Sequence, residues 1–161
     1  VKTLVVYDSV YGNTEIVARA IGDAIPGEVQ VLRVGQVNAG DVQAVDLLIV
    51  GSPTQKFRPL GSVTSFLKSI PQNGLQGIKV AAFDTRFPPS AIDKVRILAF
   101  FVKIFGYAAE PIAKRLQSKG GDLVTPPAWF YVADMRGPLL DGELARAADW
   151  AKQIAVTFSN K

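Results

Sequence analysis

Short apolar runs recur along the chain with amphipathic segments between them, the pattern of strands buried on both faces by crossover helices. The runs are residues 4–7, 29–32, 47–50, 79–83 and a split fifth, 122–124 followed by 129–132. Five strands are expected. In the first crossover Ile16, Val17, Ala20, Ile21 and Ala24 recur at helical spacing until Pro26 and Gly27 stop them. The second, residues 35–45, is poorly periodic and specifies no definite helix. Val63, Phe66, Leu67 and Ile70 give the third an apolar face that Pro71 ends. The last helix is expected to open at Asp141 as its N-cap and to carry Leu144, Ala147, Ala148, Ala151, Ile154, Ala155 and Phe158 on one stripe. Strands alternating with helices through right-handed crossovers give an α/β fold, a doubly wound five-stranded parallel sheet with helices on both faces.

The fourth crossover, residues 88–121, is about twice the length that one helix across a sheet requires. Two helices are expected in it. Ser90 can cap the first, with Asp93 in the capping-box position, and Gly106 can end it after Phe105. Pro111 suits the first turn of the second, which runs to Gly120 and Gly121. The extra apolar segment, opening at Val95 and closing at Tyr107, is apolar on nearly all sides, more than one sheet face can bury. It reads either as an added core helix or as a contact for a dimer, a hydrophobic redox partner, a quinone or a membrane surface.

With 161 residues the chain is expected to form a single domain, 1–161. Hydrophobic residues make up 48% and charged residues 20%, an ordinary soluble globular composition that excludes disorder and fibrous repeats. The absence of Cys and His removes thiol nucleophiles, disulfides, Ser-His-Asp triads and zinc fingers together. Any chemistry must come from carboxylates, hydroxyls or a borrowed cofactor. A formal charge of +4 and a pI near 9.4 favour anionic partners. The basic residues are spread along the chain with no run interleaved with aromatics, so no nucleic acid is expected. The opening VKTLVVYDS is strand-like and lacks the layout of a secretory signal, which makes a cytoplasmic address the expectation. The longest nearly apolar stretch, residues 97–109, is interrupted by Lys103 and Gly106 and falls short of the roughly 20 residues that span a bilayer.

Immediately after the first strand comes DSVYGNT, leading directly into the first helix. The unpaired N–H groups of a helix start point outward where its dipole is positive, and Ser9, Asn13 and Thr14 add side-chain donors. Gly12 lets the backbone approach a ligand. The loop has no Lys or Arg and matches neither GxxxxGK[ST] nor GxGxxG. As a whole, VxYDSVYGNTEIVARAI resembles the signature of the flavodoxin family. The resemblance continues through GSPTQKFRP after the third strand, AAFDTRF at the fourth, GGDLV near the fifth and the closing WFYVADMRGPLLDGELARAADWAKQI, and so covers nearly the whole chain.

This resemblance implies an FMN-binding, flavodoxin-like redox protein that passes electrons between partners, either a redox partner protein or a small electron acceptor. It implies that Ser9, Val10, Tyr11, Gly12, Asn13 and Thr14 grip the phosphate of FMN. Ser52, Pro53, Thr54, Gln55, Lys56 and Phe57, with Asp84, Thr85, Arg86 and Phe87, would bracket the isoalloxazine ring. Phe57 is the first choice for stacking on the ring and Phe87 the second, though either could lie in the core. A small FMN-dependent NAD(P)H or quinone oxidoreductase is the nearest enzymatic alternative. A flavin-free scaffold that binds a partner is more remote. A phosphoacceptor receiver domain would need an acidic cluster after the first strand and an Asp after the third, and neither is present.

The chain departs from the family in its charge, since typical flavodoxins are strongly acidic. Lys56, Arg58 and Arg86 lie in the segments expected to border the ring, where cations would favour the reduced anion and make the potential less negative. Many flavodoxins also place a Gly after the third strand, whose peptide turns over when the flavin gains one electron. Residues 53–60 contain none. A turn needing positive φ would be strained at Lys56, Phe57 or Arg58, which favours two-electron chemistry.

Overall fold

The computed structural model describes residues 1–88 and 106–160. Strand β1 (Lys2–Tyr7) is followed by α1 (Asn13–Ala24), β2 (Glu28–Arg33), a 3-10 turn (Val34–Gln36), α2 (Ala39–Gln43), β3 (Leu47–Pro53), α3 (Gly61–Ser69) and β4 (Lys79–Arg86). After the fourth crossover come α4 (Ala109–Ser118), β5 (Asp122–Leu123), β6 (Ala128–Tyr131) and α5 (Glu143–Ser159). The strands run in the order β2-β1-β3-β4-β5, and β6 also pairs with β4. Every strand pair is parallel.

The fifth strand is split as its sequence suggests. β5 pairs with Lys79 and Val80, and β6 with Phe83 through Arg86, on one edge of β4. Between them stand Pro126 and Pro127, which have no N–H to give to a ladder.

Alternation along the strands sorts the core into two layers. Leu4, Val6, Leu48, Val50, Val80 and Ala82 face α3 and α4 through Val63, Leu67, Ile112 and Leu116. Val5, Tyr7, Leu47, Ile49, Ala81 and Phe83 face α1 and α5 through Val17, Ile21, Ala147, Trp150 and Ile154. Phe83, Phe130 and Trp150 meet edge to face with centroids 6.2 Å apart in each pair. Phe83 takes this position because its neighbour on β3 is Gly51: a Cβ there would stand 2.1 Å from the Phe83 ring.

Three local expectations are corrected, and one left open, the second crossover, is filled. The cap of α5 is Gly142 in the left-handed region at φ 84, not Asp141 one residue earlier. Leu144 and Ile16 are exposed rather than on the buried stripes, because each lies one position outside the arc that meets the sheet, while Trp150 is an unanticipated member of the α5 stripe. The second crossover holds the short α2 and a 3-10 turn. β4 runs on to Arg86, so Asp84, Thr85 and Arg86 belong to the strand and are buried, not to a loop beyond it. The expected first helix of the fourth crossover, with Ser90, Asp93 and most of the segment between Val95 and Tyr107, lies outside the described residues. Among the described residues no helix is long and apolar enough to cross a membrane.

Candidate functional site

From β1 the chain leaves to β2 on one side and the sheet continues to β3 on the other, so the loops after β1 and β3 diverge at the carboxyl edge. Open α/β sheets bind ligands in such a crevice. Here the β1–α1 loop turns back on itself: the Gly12 amide donates to Ser9 Oγ at 2.9 Å and the Ser9 amide to Asp8 Oδ1 at 2.8 Å. Gly12 sits at φ 96, a conformation glycine adopts without strain. No side chain caps α1. Its first-turn amides therefore face outward with their positive dipole end. Among the described residues, its own chain neighbours apart, no atom lies within 4 Å of the place a Cβ on Gly12 would occupy. The result is a cradle of main-chain donors with open space before it.

Asp8 does not oppose an anion in that cradle, because Arg33 takes it. Arg33 Nη1 donates to Asp8 Oδ1 at 2.8 Å and to the Ser9 carbonyl at 3.1 Å, and the Ser62 hydroxyl donates to Asp8 Oδ2. Behind it, Tyr7 Oη donates to Glu15 Oε1 at 2.9 Å, and Arg19 binds the same oxygen at 2.8 Å. Arg19, then Tyr7, hold the Glu15 carboxyl below its ordinary range. Burial, followed by the negative Glu15, pushes the Tyr7 phenol up.

Thr14, expected to reach outward, is 1% exposed and its hydroxyl meets Thr85 Oγ1 at 2.9 Å. Other predicted hydroxyls are likewise used to build the floor. Ser52 Oγ donates to the Pro53 carbonyl at 2.8 Å and accepts from the Leu60 amide at 2.9 Å. Thr54 donates its amide to the Thr85 carbonyl at 2.9 Å, and its Oγ1 accepts from the Ala108 amide at 3.1 Å. The structure thus brings Thr14, Thr54 and Thr85 together beneath the crevice. Val10 and Tyr11 are exposed at its rim.

After β3 the chain makes a two-residue hairpin. Gln55 and Arg58 exchange both amide-to-carbonyl bonds, at 2.9 and 3.1 Å, and the residues between them, Lys56 and Phe57, have φ of 49 and 65. Turns with two positive φ values usually hold Asn-Gly or Gly-Gly. Here a Lys and a Phe occupy them, and positive φ costs such residues of order 1 kcal/mol each or more. Of the three residues at which a positive φ would bring strain, Lys56 and Phe57 adopt one and Arg58 does not.

Asp84 and Arg86 form a buried, two-pronged ion pair, with Nε to Oδ1 at 2.7 Å and Nη2 to Oδ2 at 2.6 Å. The Ala109 amide at the start of α4 also donates to Asp84, at 2.9 Å. Burial pushes the Asp84 carboxyl up, against the pull of Arg86. The Arg86 guanidinium lies 3.6 Å from the centroid of the Tyr107 ring and 4.8 Å from that of Trp129. Both residues are therefore support beneath the edge, and Arg86 is not a free cation bordering the crevice. Phe87, next along, is 37% exposed.

Sequence reasoning assigned no role to the loop after β6. Val132 bridges to Leu139, and the Ala133 amide donates to the Pro138 carbonyl at 2.8 Å. This closed loop leans on the cradle: Tyr11 Oη lies 3.7 Å from Met135 Sδ, the Arg136 guanidinium lies 5.7 Å from the Tyr11 ring centroid, and a Cβ on Gly137 would press on the Asn13 side chain at 2.5 Å. Asp134 and Gly137, which close the turn by an amide-to-carbonyl bond of 2.9 Å, were the available signal.

No curated protein matches the chain in sequence. Solved structures are similar to it in fold. A flavodoxin from the domain Archaea shares 22% identity and a TM-score of 0.75, covering 99% of this chain and 100% of that one. Flavodoxin 2 from Bacillus cereus shares 24% with a TM-score of 0.73, covering 98% and 100%. Rubredoxin oxygen:oxidoreductase from Desulfovibrio gigas shares 20% with a TM-score of 0.73; 98% of this chain is covered, but only 36% of that one. The sequence model of the flavodoxin domain family matches residues 4–88, from β1 through the end of β4 and so through the cradle, the hairpin and the buried pair. This match takes in more than half of the chain, and the chain belongs to the flavodoxin family.

Proposed function

We propose that the chain binds FMN at the carboxyl edge of its sheet and works as an electron carrier between partners. The observation that carries this reading is the cradle itself: an uncapped helix start, Gly12 at positive φ and open space in front, at the switch point of the sheet. A doubly ionised phosphate is the group such a set of amides suits. Ser9 through Thr14 would hold it, through main-chain N–H groups and the Asn13 and Ser9 side chains. Arg33 keeps Asp8 from repelling it. Ser52 through Phe57 and the exposed Phe87 would border the ring, with Thr14, Thr85, Asp84 and Arg86 fixing these segments from beneath. Flavin, when bound, supplies the redox centre; the protein positions it, shields its faces and sets the local charge.

Titration of the purified chain with FMN and with riboflavin, read by visible absorbance and quenching of flavin fluorescence, tests the reading. FMN is expected to bind at least about tenfold more tightly than riboflavin, because only FMN brings the charge the helix start favours. Replacing Gly12→Val, which fills the open space and strains the turn, should reverse that preference. Equal affinity for both ligands, or no binding of FMN, overturns the proposal.

A further inference from the structure

A cleft of about 1110 Å³ lies between the Gln55–Arg58 hairpin, α3 and α4. Its walls carry Lys56 and Arg58 from the hairpin, Lys68 from α3 and Arg115 from α4, and among the described residues no Asp or Glu lines it. All four cations are exposed. Among the described residues none of them forms an ion pair, whereas Arg33 and Arg86 are each held by a carboxylate. Four unpaired like charges around one concavity raise its positive potential, and low-dielectric walls focus that field.

We infer that this cleft is a docking surface for the acidic face of a partner protein. Its volume exceeds the roughly 300–1,000 Å³ typical of small-molecule sites, and it is open rather than enclosed. The cations project from three separate elements on long, exposed stems, an arrangement suited to a broad anionic surface more than to the convergent grip a small ligand needs. Phe57 lines the cleft too, so a partner seated there lies against the hairpin that would border the flavin. This placement rests on the FMN reading; the docking itself does not.

The test uses a soluble ferredoxin, chosen as an acidic iron–sulfur protein, with basic cytochrome c as the opposite-charge control and NADPH as the small polyanion. Binding is read by fluorescence anisotropy at low and at physiological salt, with the chain both loaded with FMN and free of it. Ferredoxin is expected to bind, cytochrome c not, and affinity to fall steeply with salt. A variant carrying Arg58→Glu, Lys68→Glu and Arg115→Glu should weaken ferredoxin binding at least about tenfold. A variant of identical net charge carrying Lys2→Glu, Lys119→Glu and Lys152→Glu should change it less than about threefold, since those charges lie outside the cleft. Circular dichroism confirms that both variants fold. Equal losses in the two variants, or no binding of ferredoxin by the parent, overturn the proposal. NADPH binding that the cleft variant abolishes, in the absence of ferredoxin binding, overturns it in favour of a nucleotide. Docking that persists in a chain unable to take FMN sinks the flavin reading alone, and a yellow protein that ignores ferredoxin sinks this one alone.

Discussion

Two groups of basic residues are treated in opposite ways. Beside β1, β2 and β4, Arg33 and Arg86 are pinned: Arg33 holds Asp8 at 2.8 Å and approaches Glu15 at 3.6 Å, and Arg86 holds Asp84 at 2.6 Å. Around the β3 hairpin, Lys56, Arg58, Lys68 and Arg115 stand exposed without such partners among the described residues. The first group is tied into the fold by its carboxylates and leaves little net field; the second has no such tie and, on the proposed docking, would meet a partner. A basic sequence thus need not mean a basic cofactor site. Of the three cations expected beside the ring, Arg86 is held by its partner, so on the FMN reading only Lys56 and Arg58 would remain to make the potential less negative.

If the two groups differ in this way, removing a partner from the first should be far more damaging than removing a charge from the second. Asp84→Ala strands a buried guanidinium and the Ala109 amide, and should lower unfolding free energy by about 3–5 kcal/mol in a urea titration. Arg115→Ala should fall within about 0.5 kcal/mol of the parent. Replacing the whole pair, Asp84→Leu with Arg86→Met, should cost clearly less than Asp84→Ala alone, because no uncompensated charge remains. Equal losses for Asp84→Ala and Arg115→Ala would erase the distinction.

Thr14→Val sharpens the picture beneath the cradle. It is nearly the same shape but leaves the buried Thr85 hydroxyl without its 2.9 Å partner, a loss of about 1–3 kcal/mol measurable by the same titration. FMN affinity should fall less than in Gly12→Val, since the amides proposed to face the phosphate are untouched. A large loss of affinity with unchanged stability would show that the Thr14 hydroxyl turns outward to the ligand.

The layers of the fold were legible because they rest on local periodicity. The continuous apolar runs of β1, β3 and β4, which mark strands covered on both faces, and the stripes of α1, α3 and α5 set out the layers, and Pro126 with Pro127 marks the break between β5 and β6. The cradle was legible as well, since Gly12 stands between a strand end and a helix start. Asp84–Arg86 was not: a polar Asp-Thr-Arg run reads as a loop, and its burial depends on β6, on Ala109 and on the rings of Tyr107 and Trp129, all distant in sequence. The hairpin conformation was hidden for another reason. Lys56 and Phe57 carry no signal for positive φ, so their backbone is dictated by the pairing of Gln55 with Arg58. The cleft combines that hairpin with Lys68 and Arg115, which only the packing of α3 and α4 places nearby.

The strained hairpin supplies a smaller test of the second region. Lys56→Gly, which adopts φ 49 without a Cβ penalty, should leave stability unchanged or raise it by up to about 1 kcal/mol, because the entropy glycine adds to the unfolded chain offsets part of the relief. Lys56→Ala should bring no such gain. Glycine also frees the peptide at the position where other flavodoxins use one, so a reductive titration of the FMN-loaded variant should show more of the one-electron-reduced form than the parent. No difference between glycine and alanine would mean that the turn is held without strain.

The smallest expected effect belongs to the paired group at the surface, Glu15. Its carboxyl is held below the ordinary value of 4.5, chiefly by the hydrogen bond from Arg19 and then by that from Tyr7. A carboxyl depressed in the folded state contributes stability that is fully present above its unfolded pKa and disappears as pH falls through the folded one. Glu15→Gln should therefore lower stability by no more than about 0.5 kcal/mol at neutral pH, as expected for a partly exposed pair. The gap from the parent should close as the pH drops below the ordinary carboxylate range. High salt should shrink the neutral-pH gap too, whereas the cost of Asp84→Ala, buried beyond the reach of screening, should persist. Urea titrations of both variants across pH and salt check this directly: a salt-insensitive loss at Glu15 as large as that at Asp84 would place Glu15 with the buried pair, not at the surface.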